Sequence, residues 1–192
     1  MLETLKYWDI ELFRWINGHH CAATDWIIWA ASQHLFWAAM LILFFALVTL
    51  RYDRQQWWMV IAAISLCFLL ADQGSVHLFK EQFHRLRPCH ALEDVYMFRT
   101  HCGGAYGFVS SHAANACAIA TFLILRYRRH AGAVTSAAIW LLLTCYSRIY
   151  LGKHFPGDVA GGALFGFLVG LSVYGIFRLF EQRITKNKRQ TE

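Results

Sequence analysis

Five long apolar segments, at about residues 26–50, 57–79, 111–125, 133–150 and 159–180, alternate with short polar connections. They approach the ~20 residues a helix needs to cross a bilayer. Neither proline of the chain lies inside them, so each can run as a helix without a proline break. The shortest, 111–125, fits an untilted helix or a locally thinned bilayer. Ahead of them, Leu5, Trp8, Leu12 and Trp15 recur at helical spacing, with Lys6, Asp9 and Glu11 elsewhere on the surface. That pattern predicts an amphipathic helix that lies in the membrane interface or packs on the domain. Trp26, Trp57 and Trp58 sit near segment ends, as interfacial anchors do. The expected fold is all-α: a polytopic membrane helical bundle of about five transmembrane helices plus an N-terminal interfacial amphipathic helix. No repeat or linker divides residues 1–192, so one domain is expected.

Composition narrows the class. The chain is 57% hydrophobic and only 16% charged, whereas soluble domains carry about 25% charged residues. Residues 1–20 hold Glu3, Asp9 and Glu11 and lack a basic start followed by an apolar core, so no cleavable signal peptide is expected. A net charge of +6 could signal nucleic acid, but no basic patch with interleaved aromatics is present, and nucleic acid is excluded as a partner. Membrane topology accounts for the charge better. With five spans, the connections 51–56 and 126–132 and the tail 181–192 share a side with Arg178 and carry ten basic residues; the opposite side has eight. Three of those eight, Lys80, Arg87 and Arg148, belong to polar clusters with a chemical reason of their own. Without them the count is ten against five, and the positive-inside rule makes 181–192 a cytoplasmic tail and 80–110 an extracytoplasmic loop. Long ordered loops often carry function.

Three polar clusters abut the apolar segments on that outer side: Lys80 with Arg87-Pro88, Ser110-Ser111-His112, and Ser147-Arg148 with His154 and Asp158. A phosphate carries up to two or three charges, and arginine's planar fork suits its oxygens while lysine adds a point charge. Ser110-Ser111 opens a helix whose free N–H groups favour an anion. His112 in its first turn would stand beside that anion, with a pKa range suited to proton transfer. His154 and Asp158, four residues apart, fall on one helical face, where a carboxylate can fix the ring tautomer and leave the other nitrogen to attack. Singly, these residues have ordinary roles as snorkelling lysine, cap, dipole partner or structural His–Asp pair. Ionisable groups beside membrane segments are costly, and these share one face, so together they read as a phosphate site.

The spacings resemble the type-2 phosphatidic acid phosphatase superfamily. Its first signature, Lys, six residues, Arg-Pro, is present at Lys80 and Arg87-Pro88. Its third, Ser-Arg, five residues, His, three residues, Asp, is present at Ser147-Arg148, His154 and Asp158. Its second, Pro-Ser-Gly-His, reads Val109-Ser110-Ser111-His112, with the proline and glycine replaced. The resemblance implies a metal-independent phosphatase without cofactor. In it His154 attacks phosphorus, Asp158 orients it, and His112 protonates the leaving oxygen. Lys80, Arg87, Ser110, Arg148 and the Ser111 N–H hold the phosphoryl oxygens. A metal held by His and Asp is the rival, disfavoured because three cations would repel a divalent ion. The small size and outward site look like bacterial undecaprenyl-diphosphate phosphatases of the inner membrane, which serve cell-wall synthesis. Phosphatidylglycerophosphate, phosphatidic acid and lipid A phosphatases are the alternatives. The apolar spans argue against the soluble haloperoxidases of the superfamily. A non-catalytic lipid-phosphate binder or transporter is the alternative of another class.

Cys89 and Cys102 share the outer loop, where an oxidising compartment permits a disulfide; Cys21 is a competing partner. Cys67, Cys117 and Cys145 read as small apolar fillers. His19, His20, His84, His90 and His101 read as surface residues. Asp72 and His77 are expected to meet inside the bundle, with no catalytic role.

Overall fold

The computed structural model describes residues 2–191; Met1 and Glu192, at the outer ends of the predicted segments 1–20 and 181–192, lie outside them. Helices α1 (Leu2–Gly18) and α2 (Ala22–Ala31) precede α3 (Leu35–Tyr52) and α4 (Trp57–Phe83). A short helix α5 (Pro88–Ala91) lies in the long loop, followed by α6 (Ser111–Arg126), α7 (Ala131–Tyr150) and α8 (Pro156–Thr191). Among the described residues no named strand forms.

Among the described residues four helices, α3, α4, α7 and α8, are long and apolar enough to cross a membrane, against five expected. The length of one helix explains the count, and another segment is divided without changing it. The predicted segment 26–50 is divided: the Ser32 hydroxyl donates to the Trp29 carbonyl (2.7 Å), and extended Gln33 starts a new helix. The polar run Ser32-Gln33-His34 was the signal. The predicted segment 111–125 does form a helix, α6, but at 16 residues it is the shortest of the bundle. A helix of that length spans about 24 Å.

Helix α6 is the centre of the fold, and its small side chains make this possible. Ala113, Ala114, Ala116, Ala118 and Ala120 are fully buried. Gly162, Gly166 and Gly170 of α8 lie against it. A Cβ at Gly162 would stand 2.5 Å from the Ser110 carbonyl oxygen, and one at Gly170 equally close to that of Ala118. Small residues every fourth position let two backbones approach, which is how helices associate where lipid removes the hydrophobic drive. Outward, Leu43, Leu47, Phe68, Leu69, Leu142, Leu164 and Leu168 are exposed, an apolar coat suited to lipid.

Helix α1 packs on the bundle through buried Phe13 and Asn17, while Leu5, Trp8, Leu12 and Trp15 face away from the protein. It therefore combines the two predicted roles: packed on one face, apolar and available to the interface on the other. Asn17 is a fastener: its Nδ2 donates to the Tyr96 and Tyr150 carbonyls (2.8 Å each), and its Oδ1 accepts the Tyr96 N–H (2.9 Å). Tyr96 and Tyr150 hydroxyls both donate to the buried Asp25 of α2. That bond pushes the Tyr96 phenol up to about 12, with burial adding to it. The long loop is thereby tied to the two N-terminal helices. Cys89 and Cys102 form the expected disulfide, with Cα atoms 5.8 Å apart, and Cys21 stays free and exposed.

Candidate active site

The three polar clusters converge at one end of the bundle, where α4 ends, α6 begins, α7 ends and α8 begins. Each side chain is aimed by a local device. Lys80 closes a wider, π-helical stretch of α4, Ser75–Lys80. Its Nζ donates to the Ser111 hydroxyl (2.7 Å). Ser111 contacts the Ser75 hydroxyl (2.6 Å), which donates onward to the Asp72 carbonyl (2.8 Å). Ser111 was expected to contribute a backbone N–H; its hydroxyl also anchors Lys80, a use that the family's glycine could not serve. Ser110 is buried and caps α6, its Oγ accepting the Ala113 N–H at 3.5 Å, while its own N–H donates to the Asp158 carbonyl (3.0 Å). His112 stands in the same first turn, half-buried, with its ring edge-on to Trp37 (centroids 6.4 Å apart).

Arg87 is fixed by its backbone. Its N–H donates to the Ala105 carbonyl (3.0 Å), its Nε donates to the Tyr106 carbonyl (3.2 Å), and Leu86 and Tyr106 pair as an isolated antiparallel bridge. The disulfide closes this same loop. Gly107 lets it approach the site: a Cβ there would lie 2.9 Å from Asp158 Oδ2 and 3.2 Å from Arg87 Cγ. Arg148, only 2% exposed, donates from Nε and Nη2 to the Ser147 hydroxyl (3.1 and 3.0 Å) and from Nη2 to the Ser32 carbonyl (3.5 Å). No carboxylate pairs with Arg87 or Arg148 among the described residues.

His154 and Asp158 are both buried and one helical turn apart. His154 Nδ1 lies 3.6 Å from Asp158 Oδ2, just beyond hydrogen-bond reach, and is otherwise unpartnered. Burial lowers the imidazole to about 4; the neighbouring Asp158 opposes that shift, and Arg87 and Lys80 add to it. The ring is therefore neutral at pH 7, with a lone pair on one nitrogen. Gly152 makes the preceding turn possible at φ +72°, where a Cβ would collide with Val95.

Every predicted site residue thus lies at this end. Two others escaped the sequence reading. Arg85 donates from Nη1 to Asp158 Oδ1 (2.8 Å) and from Nη2 to Asp9 of α1. Lys153 stands near Arg148 and Arg87; burial lowers its pKa, and those two charges lower it further. The only sequence signals were their positions, two residues before Arg87 and one before His154. The expected Asp72–His77 contact does not form. Asp72 accepts from Asn115 of α6 (3.1 Å), whereas His77 meets Glu81 one turn on, exposed.

Comparison with known proteins agrees with this geometry. The chain is 29% identical over 188 residues to a lipid A 4'-phosphatase of Bacteroides thetaiotaomicron, covering 96% of this chain and 83% of that one. It is 36% identical over 126 residues to a lipid A 4'-phosphatase of Porphyromonas gingivalis, covering 62% of this chain and about half (51%) of that protein. Among solved structures, LpxE of Aquifex aeolicus superposes with a TM-score of 0.61 at 25% identity, over 85% of this chain and 93% of that one. A transmembrane PAP2-type phosphatidylglycerolphosphate phosphatase from Bacillus subtilis shares the fold, with a TM-score of 0.65 at 21% identity over 94% and 88% of the two chains. The model of the PAP2 superfamily matches residues 61–181, which include all three clusters, and the chain belongs to that superfamily, among its membrane lipid phosphatases.

Proposed function

We propose that this protein removes phosphate from a lipid A-type glycolipid through a phosphohistidine at His154. The observation that carries the chemistry is the meeting of neutral, buried His154 with Asp158 behind it and Lys80, Arg87, Arg148 and Lys153 nearby, none of these cations paired with a carboxylate among the described residues. Asp158 faces Nδ1, so Nε2 attacks phosphorus. The bond from phosphorus to the lipid oxygen breaks as the N–P bond forms, and His112 gives that oxygen a proton. The imidazolium that develops is stabilised by Asp158. A water then attacks phosphorus, giving its proton to His112; the N–P bond breaks and inorganic phosphate leaves. The cations stabilise the equatorial oxygens throughout, the task metal ions perform in other phosphoryl-transfer sites.

The substrate class rests on the relatives. Lipid A phosphate, an alternative in the sequence reading, now stands ahead of undecaprenyl diphosphate because the lipid A 4'-phosphatases align along most of this chain. The basic far side supports a site on the extracytoplasmic face of the bacterial inner membrane. The test is phosphate release in detergent, with chelator present, from lipid A, undecaprenyl diphosphate, phosphatidylglycerophosphate and phosphatidic acid. Lipid A is expected to turn over fastest, and His154→Ala to release none. Undiminished release by the variant, or a strict need for divalent metal, would refute the mechanism; preference for another lipid would refute the substrate.

A further inference from the structure

Arg85 differs from every other cation at the site: both terminal nitrogens of its guanidinium are taken by carboxylates. Nη1 donates to Asp158 Oδ1 and Nη2 to Asp9 Oδ2. Its face lies over the Phe155 ring, 4.6 Å from the centroid. Two carboxylates neutralise that fork, leaving it little net charge to offer a phosphate, so Arg85 belongs to the support of the site. Asp9 in turn is held from the other side, its Oδ1 accepting the Gly157 N–H at 2.7 Å. Phe13, one turn along α1, packs edge-on against Phe155 (centroids 5.4 Å apart). The N-terminal helix thus grips the segment 155–158 twice, once by charge and once by ring contact.

The consequence falls on Asp158. Its side chain is fully buried, Oδ1 is fixed by Arg85, and Oδ2 accepts the Phe155 N–H (3.0 Å) while facing His154. A buried carboxylate is costly unless it is paired and hydrogen-bonded, and Arg85 does both. A chain of contacts therefore runs from α1 through Asp9, Arg85 and Asp158 to His154.

We propose that Asp9 and Arg85 are positioning residues that hold Asp158 against His154, so that seating of the N-terminal helix on the bundle is a condition of phosphoryl transfer. The inference rests on His154 being the nucleophile. The outer face of α1, with Leu5, Trp8, Leu12 and Trp15 exposed, is the one suited to the bilayer surface, so the same helix touches lipid on one side and the catalytic carboxylate's support on the other.

The experiment measures kcat and KM for lipid A phosphate release by the full chain and by Arg85→Ala, Asp9→Asn and their double variant. Misplacing a catalytic group from a distance costs about 10²-fold. Arg85→Ala should lower kcat by about that factor with KM unchanged, and Asp9→Asn by a smaller factor. The double variant should be no slower than Arg85→Ala alone, because both changes cut one chain of contacts. A raised KM with preserved kcat would make Arg85 a substrate ligand and overturn the proposal. So would a parent-like Asp9→Asn, or losses that multiply in the double variant. Melting temperature in detergent checks folding; if Arg85→Ala does not fold, the kcat of Asp9→Asn decides. His154→Ala is measured alongside. Parent-like release by that variant would sink the nucleophile assignment whatever the other variants do.

Discussion

Two arginines, half-buried Arg126 and buried Arg148, one at each end of the bundle, live by opposite rules. At the far end Arg126 is bonded by two carboxylates, Asp53 and Glu181, and Glu181 also takes Arg178. Its guanidinium lies over Phe177, 4.9 Å from the centroid. Nearby, the Tyr127 hydroxyl donates to Thr49 (3.1 Å). At the site end Arg148 is more deeply buried and has only a hydroxyl and a carbonyl to bond. A buried charge without a counter-ion is costly. At the far end Arg126 has its counter-ions; at the site end the proposed phosphate substrate would supply them. Residue type alone does not separate structural from functional arginines here, but the presence of a carboxylate does.

That contrast can be broken in a definite order. Replacing Arg148 with Met should lower kcat/KM by about 10³-fold, the scale of losing a preorganised donor to the transition state. It should leave the melting temperature unchanged or higher, because the substitution removes an unpaired buried charge. A large loss of stability would place Arg148 with Arg126. The converse change, Arg126→Met, strands Asp53 and Glu181 and should cost about 3–5 kcal/mol of stability in a denaturation curve. Turnover per folded molecule should persist.

His154 sharpens the contrast through pH. Its folded pKa, about 4, lies below the ordinary value of 6.5. Above pH 6.5 both folded and unfolded rings are neutral and pH does nothing. As pH falls below 6.5 the unfolded ring binds a proton and the folded one does not, so stability drops until about pH 4. The loss attributable to this residue is about 3 kcal/mol at most. His154→Ala should flatten that part of the pH–stability curve. The smallest effect is expected at Ser111. Ser111→Gly restores the family's residue but removes the hydroxyl that anchors Lys80, worth about 1 kcal/mol, or several-fold in kcat/KM. An unchanged rate would make that hydrogen bond incidental.

Much of this was legible in the sequence because the chemistry-bearing residues sit in short motifs at helix ends. Fixed spacing carries Lys80 to Arg87 and His154 to Asp158, and helix direction brings the clusters to one end. The Cys89–Cys102 pairing followed from two thiols in one loop. What escaped was non-local. Arg85 meets Asp9 and Asp158 across 76 and 73 positions, and no local pattern encodes such a pairing. Asp72 was expected near His77, but the π-helical stretch between them rotates His77 outward and leaves Asp72 to Asn115. The packing of α6 escaped for a related reason. Hydropathy marks α6 as apolar, yet its alanines meet the glycines of α8 rather than lipid.

The most direct test of the central claim follows the phosphoryl group itself. Protein quenched in denaturant during turnover of lipid A bearing labelled phosphate should carry acid-labile, base-stable label, the signature of an N–P bond, mapping to the peptide containing His154. Asp158→Asn should accumulate label more slowly, and His154→Ala none. Label absent from parent enzyme that is turning over at full rate, or label retained in His154→Ala, would contradict the account.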